Sequence, residues 1–198
     1  MNFRLGNFRS GVGDQSKSIK WLDYLSDLML RVRRGGSRFS VMGIQLSWEK
    51  LPAWREEAKK RGVKVVATNG CFDLLHVGHV RFLQEARAQG DVLVVGVNGD
   101  GSVRELKGEG RPVNPEGDRA EVVAGLAAVD VVVVFSEKRA TRFLDVVRPD
   151  IYVKGGDYQA EQLDQDELAA VKKGGGIVKV LPLTPGRSTT AVLQKLKK

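Results

Sequence analysis

The chain has 198 residues, of which 42% are hydrophobic and 28% charged, a globular composition that suits one α/β domain with a sizeable core. No apolar run is long enough to cross a bilayer, and no apolar segment follows the first residues as a secretory signal would require. The single cysteine excludes an internal disulfide and favours a reducing, cytoplasmic setting.

The formal net charge of +8 suggests nucleic acid as a partner, but the distribution of charge disfavours it. Residues 1–41 carry eight basic and three acidic residues, whereas the remaining 157 carry 24 basic and 21 acidic residues. The main domain is therefore nearly balanced, and we expect no nucleic-acid partner. A basic tail that binds nucleic acid is the alternative, and it would bind in a salt-sensitive way.

Residues 1–41 form an extension that differs from the rest of the chain. Residues 1–17 lack any period and are predicted to be disordered. Residues 18–34 have apolar residues at helical spacing, which predicts a short amphipathic helix with a basic end. Two interpretations of this extension are favoured: the helix docks on its own domain, or translation naturally starts at Met42. A helix for dimerisation or for binding a membrane surface is the less favoured alternative. Residues 42–198 are then the main domain.

From Met42 onward, helices alternate with β-branched apolar runs. Ser47 is expected to cap a first helix, and Asn114–Pro115 to start a later one. Further helices are predicted at HVGHVRFLQEARAQG, TRFLDVVR, LDQDELAAVKK and STTAVLQKLKK. Five strands are predicted, at residues 63–68, 91–98, 131–135, 151–156 and 177–183. The pattern predicts an α/β fold with a Rossmann-like, doubly wound, five-stranded parallel sheet. Ligands bind such sheets beyond the carboxyl ends of the strands, near the switch point.

The segment TNGCFDLLHVGHV follows the first predicted strand and contains Cys71, His76 and His79, the chain's only cysteine and its only histidines. The two histidines are three residues apart at the start of a helix, so they share one face. A helix N-terminus offers unpaired N–H groups to anions, and imidazoles can donate to phosphate oxygens. Gly78 would let a ligand approach the backbone, so a nucleoside triphosphate fits this turn.

Two alternatives use the same residues. Cys71 and the two histidines, with Asp73, could bind zinc, but no CxxC or HExxH spacing supports this. Cys71 could be a nucleophile, although a small, partly buried thiol is the favoured role directly after a buried strand. Asp73 and Phe72 also have purely structural explanations: Asp73 can form an Asx turn, and Phe72 can pack in the core.

Three further loops follow predicted strands. KGEGRP carries Lys107 and Arg111, which are either a solvated turn or cations that close over phosphate charge. KGGDY carries Lys154 and Asp157. In GRSTT, Ser188 is explained as a helix cap, in a geometry that also makes an anion site. The chain lacks a P-loop, a GxGxxG pattern and a GxSxG elbow.

The TNGCFDLLHVGH and STT segments resemble the motifs of the cytidylyltransferase-like nucleotidyltransferases. Together with DRAEVVAGLAAVDVVVVF, PDIYVKGGDY and GRSTT, residues 44–198 resemble the adenylyltransferase domains of bacterial ADP-heptose synthases. The resemblance implies transfer of AMP from ATP to D-glycero-D-manno-heptose 1-phosphate. Arg187, within GRSTT, departs from this pattern.

The resemblance also implies roles for individual residues. His76, His79 and Lys107 would be catalytic and supply positive potential to the phosphates. The nucleotide would be bound by Thr68, Asn69, Gly70, Phe72, Gly78, Asp100, Arg119, Ser188, Thr189 and Thr190. The sugar phosphate would be bound by Lys154, Gly155, Gly156 and Asp157.

A sugar phosphate is already largely anionic near neutral pH, so it needs no strong general base. Mg²⁺ is expected as a cofactor held by the ATP phosphates, with no dedicated metal ligands in the protein. We expect a homo-oligomer and a separate heptose kinase. The alternatives are a related enzyme that uses CTP, glycerol 3-phosphate or FMN, and a regulatory module without catalysis.

Overall fold

The structure is a computed structural model that describes residues 43–156, 163–187 and 189. The predictions for residues 1–41, for Ser188 and Thr190 of GRSTT and for the helix beyond them lie outside the described residues. Six strands occur in the described part: β1 Ile44–Gln45, β2 Val65–Gly70, β3 Val92–Asn98, β4 Val131–Phe135, β5 Ile151–Gly155 and β6 Ile177–Leu181. Its helices are α1 Leu51–Lys60, α2 Val77–Arg87, α3 Asp100–Lys107, α4 Glu116–Ala124, α5 Thr141–Val147 and α6 Gln165–Lys173.

The strands form one parallel sheet in the order β1-β4-β3-β2-β5-β6. The chain runs outward from β2 through β3 to β4, and then returns to the other side of β2 to form β5 and β6. Helices α1, α5 and α6 pack together in one layer, while α2 and α4 contact the sheet strands. The prediction of a doubly wound parallel α/β sheet is confirmed, and its switch point lies between β2 and β5.

The sheet has six strands rather than the predicted five. The additional strand, β1, is only two residues long and pairs with β4 at the sheet edge. Its neighbours extend the pairing, since Leu46 N–H donates to Val132 O at 2.8 Å. Two residues are too few to show a period-2 pattern, so this strand has no sequence signal of its own.

Two further details differ from the predictions. Helix α1 begins at Leu51 with Lys50 as its N-cap, and Ser47 instead starts the turn before it, accepting from the Lys50 N–H through its carbonyl. Helix α3 is not among the helices that the sequence predicts. Gly99, Asp100 and Gly101 indicate a turn, but Ser102 and Val103 are buried and anchor this short helix against the core.

The hydrophobic core is built around strands β3 and β4. All seven residues of β3 are buried, and four of the five residues of β4 are buried. Strands β3 and β4 are therefore covered on both faces, as their continuous apolar runs predict. The polar ends of β2 and β5 meet at the carboxyl edge of this core.

Candidate active site

A cleft of 680 Å³ opens at the carboxyl edge of the sheet, where β2 and β5 diverge. Eight of the predicted site residues line it: Asn69, Gly70, Phe72, His79, Lys107, Lys154, Gly155 and Thr189. Asp157, Ser188 and Thr190 lie outside the described residues. The remaining predicted residues are near the cleft but are not part of its lining.

The two histidines form a stacked pair at the start of α2. Their ring centroids are 3.9 Å apart, with 28° between the ring planes. His76 is the N-cap residue, and its backbone N–H donates to Nδ1 of His79 at 3.3 Å. Because Nδ1 of His79 accepts, Nε2 of the neutral ring carries the hydrogen, and this ring lines the cleft.

Both histidines are neutral at pH 7. Burial, and then the neighbouring His76, lower the pKa of His79 to about 4. Burial, and then the charge of Arg187, lower the pKa of His76. Neutral imidazoles act on an anion as oriented dipoles and hydrogen-bond donors, and the catalytic roles of His76 and His79 stay predictions.

Gly78 leaves room for a protein side chain. A Cβ at Gly78 would lie 2.9 Å from Cε1 and Nδ1 of His76 and 3.2 Å from Cβ of Arg187. Because Gly78 has no side chain, the ring of His76 can lie close to the backbone at this position. This glycine lets the imidazole lie over the first turn of α2.

The turn that leads into this helix is tight. Phe72 has φ of 46°, in the left-handed region that bulky residues rarely adopt. Its ring is buried, with its centroid 5.5 Å from that of His79. Phe72 therefore helps to fix the orientation of the His79 ring.

Asp73 ties the loop after α3 to this turn. Its side chain is 1% exposed, pairs with Arg111, and accepts the backbone N–H of Val113 at 2.8 Å and that of Asn114 at 3.0 Å. Burial would raise the pKa of Asp73, but the hydrogen bonds from Asn114, Val113 and Arg111 outweigh it and lower the pKa. The carboxylate thus holds Arg111 at the cleft wall.

Arg119 and Asp100 form a clamp behind the cleft. The Arg119 side chain is 1% exposed and donates to Asp100 Oδ1 at 2.8 Å, to Asn114 O at 2.9 Å and to Cys71 O. Three of its five N–H groups thus donate to protein acceptors, and Arg119 supports the β2–α2 turn without lining the cleft.

Two other predicted site residues, Thr68 and Gly156, make hydrogen bonds within the protein. The Thr68 hydroxyl is buried and donates to Val153 O at 2.8 Å, across the β2–β5 crevice. Gly156 is buried, and its N–H donates to Leu181 O at 3.1 Å. Cys71 lines the cleft, and burial raises the pKa of its thiol, which disfavours the thiolate that a nucleophile requires.

The cleft wall is basic. Five cationic side chains line it, Lys107, Arg111, Lys138, Arg139 and Lys154, against three carboxylates, Asp73, Asp164 and Glu167. Arg111, Arg139 and Lys154 each pair with one of these carboxylates. Lys107 and Lys138 are exposed and make no ion pair with the residues that the structure describes. These two lysines are available to an anionic ligand.

Sequence analysis missed several cleft residues. Lys138 and Arg139 lie in the loop after β4, which carries no motif, although their position after a strand is a usable signal. Asn98, at the end of β3, lines the cleft while its amide donates to Ser102 Oγ and Glu137 O, each at 3.3 Å. Glu167 lies on a helix and has no local motif.

The comparisons with known proteins agree with this architecture. A family description, cytidylyltransferase-like, matches residues 67–195. The "Bifunctional protein HldE" of Pseudomonas paraeruginosa is 51% identical over 165 residues, which is 83% of this chain and 34% of that protein. The protein of the same name from Azotobacter vinelandii is 47% identical over 166 residues, covering 84% of this chain and 34% of that protein. The chain thus spans about a third of the length of these curated relatives.

A solved structure is also similar to this chain in fold and sequence. It is titled "Crystal structure of the lipopolysaccharide core biosynthesis protein from Thermoplasma volcanium GSS1" and superposes with a TM-score of 0.52 at 31% identity, covering 62% of this chain and 98% of that one. The fold, the histidine pair and the comparisons define a nucleotidyltransferase. The chain belongs to the cytidylyltransferase-like family.

Proposed function

We propose that the chain transfers AMP from ATP to D-glycero-D-manno-heptose 1-phosphate, giving ADP-heptose and pyrophosphate. The observation that carries this proposal is the stacked His76–His79 pair at the start of α2, whose His79 ring lines a basic cleft at the switch point. The identity of 51% to a protein named HldE supports the choice of heptose, together with the KGGDY segment. Because residues 44–198 also resemble the adenylyltransferase domains of bacterial ADP-heptose synthases, we extend that role to the chain.

In the proposed reaction, a phosphate oxygen of the sugar attacks the α-phosphorus of ATP. A bond forms between them, and the bond from the α-phosphorus to the oxygen that bridges to the β-phosphorus breaks, its electron pair leaving with pyrophosphate. Since the attacking phosphate is already ionised, no protein group must remove a proton. The protein is then required to align the substrates and stabilise phosphoryl charge.

The described side chains suit these tasks. Nε2–H of His79 and the N-terminal N–H groups of α2 can donate to phosphate oxygens. Lys107 and Lys138 bring positive charge that no described carboxylate neutralises. Lys154, at the β5 side of the crevice, is suited to the phosphate of the acceptor.

Mg²⁺ is proposed to enter with ATP. The described residues contain no group of three or more histidine, cysteine, aspartate or glutamate side chains arranged to hold a metal ion. The cleft carboxylates Asp73 and Glu167 already have cationic partners. The metal would therefore be held by phosphate oxygens and would neutralise their charge.

A screen of pyrophosphate release tests the proposal. ATP and CTP are each combined with heptose 1-phosphate, glycerol 3-phosphate and FMN. We expect turnover with ATP and heptose 1-phosphate, and turnover with CTP alone would contradict the proposal. In the described ranges no helix is long and apolar enough to span a bilayer.

Two proposals on partners accompany this one. A separate kinase is proposed to supply the heptose phosphate, and heptose kinase activity in the purified 198-residue chain would contradict that. A homo-oligomer is proposed as well, and a monomeric mass by light scattering at assay concentration would contradict it.

A further inference from the structure

Glu167 is a buried carboxylate to which neither the family motifs nor the proposed reaction assigns a task. It lies in the first turn of α6, and its side chain is 6% exposed. A carboxylate in such a position requires partners for both oxygens. Oε1 accepts the backbone N–H of Ala140 at 2.9 Å, and Oε2 lies 2.8 Å from Nζ of Lys154 and 3.0 Å from the hydroxyl of Tyr152.

This carboxylate is held rigidly and charged. Asp164 caps α6 and accepts the backbone N–H of Glu167 at 3.0 Å, which fixes the start of the helix. Burial would raise the pKa of Glu167, but the charge and hydrogen bond of Lys154 and the bonds from Ala140 and Tyr152 outweigh it and lower the pKa. Glu167 is therefore an anion beside the cleft at neutral pH.

The Glu167 carboxylate forms an ion pair with the ammonium group of Lys154. Its ammonium has three N–H donors. Two have partners, because Nζ lies 2.8 Å from Glu167 Oε2 and 3.3 Å from Asn69 Oδ1. The side chain also lines the cleft, so the third N–H remains for a ligand there.

The partners of Lys154 span the switch point. Asn69 is on β2, Lys154 and Tyr152 are on β5, and the hydroxyl of Tyr152 lies 2.6 Å from Asn69 Oδ1. This hydroxyl has one hydrogen, which it can donate either to Asn69 or to Glu167. Glu167 thus completes a polar network at the point where the sheet opens.

We infer that Glu167 is a positioning residue that holds the Lys154 ammonium in the β2–β5 crevice, with its third N–H directed to the phosphate of the acceptor. The identity of that anion rests on the proposed function. A lysine fixed before the ligand arrives loses less conformational freedom on binding than the free Lys107 or Lys138. Glu167 should therefore act on acceptor binding rather than on ATP binding.

The test compares Glu167→Gln, Lys154→Gln and the double variant. Glutamine can still accept the Ala140 N–H, but it replaces the acceptor facing Lys154 with an uncharged group. We expect Glu167→Gln to lower kcat/KM for heptose 1-phosphate by about 10- to 100-fold, with the Kd of ATP changed less than about twofold. Because Glu167 acts through Lys154, the double variant should be no worse than Lys154→Gln. Additive losses would overturn the inference.

A matched control removes an ion pair that joins α6 to α5 instead of to β5. Asp145 and Lys173 are paired at 3.0 Å, have side chains that are 39% and 77% exposed, and do not line the cleft. Asp145→Asn should leave both substrates' constants unchanged. Glu167→Asp, which keeps the charge but retracts it, serves as a second variant if Glu167→Gln does not fold, and it should give a loss in the same direction.

A spectroscopic measurement separates this inference from the proposed function. The ¹⁵N–¹H signal of a hydrogen-bonded Lys154 ammonium should be visible in the ligand-free protein at low temperature and be lost in Glu167→Gln. If this signal is lost but no sugar phosphate is ever a substrate, the positioning holds and the proposed function fails. If the signal survives in Glu167→Gln, the inference is wrong whatever the substrate.

Discussion

The backbone nitrogen of His76 lies 3.3 Å from Nδ1 of His79, so the third residue of α2 caps the helix that contains it. This contact fixes the tautomer of His79 and turns its Nε2–H toward the cleft. The two nitrogens of one ring therefore have different tasks, one in helix capping and one in ligand binding. Substitutions that mimic one nitrogen at a time can separate these tasks.

His79→Asn places an acceptor near the position of Nδ1 but offers no donor at Nε2. We expect the free energy of unfolding to stay within about 0.5 kcal/mol of the wild type, while kcat falls about 10²- to 10³-fold. His79→Gln mimics Nε2 instead, so it should lose about 1 kcal/mol of stability but retain more activity. Urea unfolding and pyrophosphate release measure the two effects. Equal activity of both variants would show that Nε2–H does not contact the phosphates.

The low pKa of His79 makes stability depend on pH. Above a pH of about 6.5, the unfolded-state value, the ring is neutral in both states. As the pH falls from 6.5 toward the folded pKa of about 4, the unfolded chain binds a proton that the folded chain excludes, so the free energy of unfolding decreases. After allowance for partial exposure, we expect a loss of about 1–2 kcal/mol near pH 4.5.

Urea unfolding from pH 7.5 to 4.5 measures this loss, with His79→Gln as the control. The variant should show a shallower decrease, and a residual slope is expected from His76, whose pKa is lowered in the same direction. An unchanged slope in His79→Gln would mean that other groups cause the pH dependence.

Arg119 tests whether a residue assigned from the family resemblance binds nucleotide in this chain. Its guanidinium is directed at Asp100, Asn114 and Cys71, and lysine cannot reach three such divergent acceptors. We expect Arg119→Lys to lower the free energy of unfolding by about 2–4 kcal/mol. At temperatures where the variant is folded, the KM for ATP should change less than about threefold. A large rise in that KM with unchanged stability would restore Arg119 as a nucleotide-binding residue.

The general fold could be predicted from the sequence because its strands are continuous apolar runs and its loops carry the polar residues. The cleft was predicted at the correct edge for the same reason. The contacts of Arg119, Thr68 and Glu167 could not be predicted, since each of these residues has a partner that is 48, 85 or 13 residues away in the chain, respectively. Burial of a charged side chain depends on these distant partners, which no local pattern encodes. Helix α3 was missed because its glycine-rich start resembles a turn, and its burial appears only in the folded protein.

Gly78→Ala tests the requirement for space under the His76 ring. The added methyl group would lie 2.9 Å from two atoms of that ring, so the imidazole must move away from α2. We expect kcat to fall about 10-fold or more, while stability changes by less than about 1.5 kcal/mol because the ring is partly exposed. Pyrophosphate release and thermal unfolding measure both effects.

Gly101→Ala is the matched control for this substitution. Gly101 is in α3, is exposed, and has no atom within 4 Å of an added Cβ. Alanine there should raise the free energy of unfolding by about 0.5–1 kcal/mol, because it restricts the unfolded chain and favours the helix, and activity should not change. If Gly78→Ala behaves like this control, then the position of the His76 ring over the first turn of α2 is not needed for catalysis. A loss of activity specific to Gly78→Ala, with the stacked geometry of the pair disturbed in its imidazole NMR shifts, is the expected result.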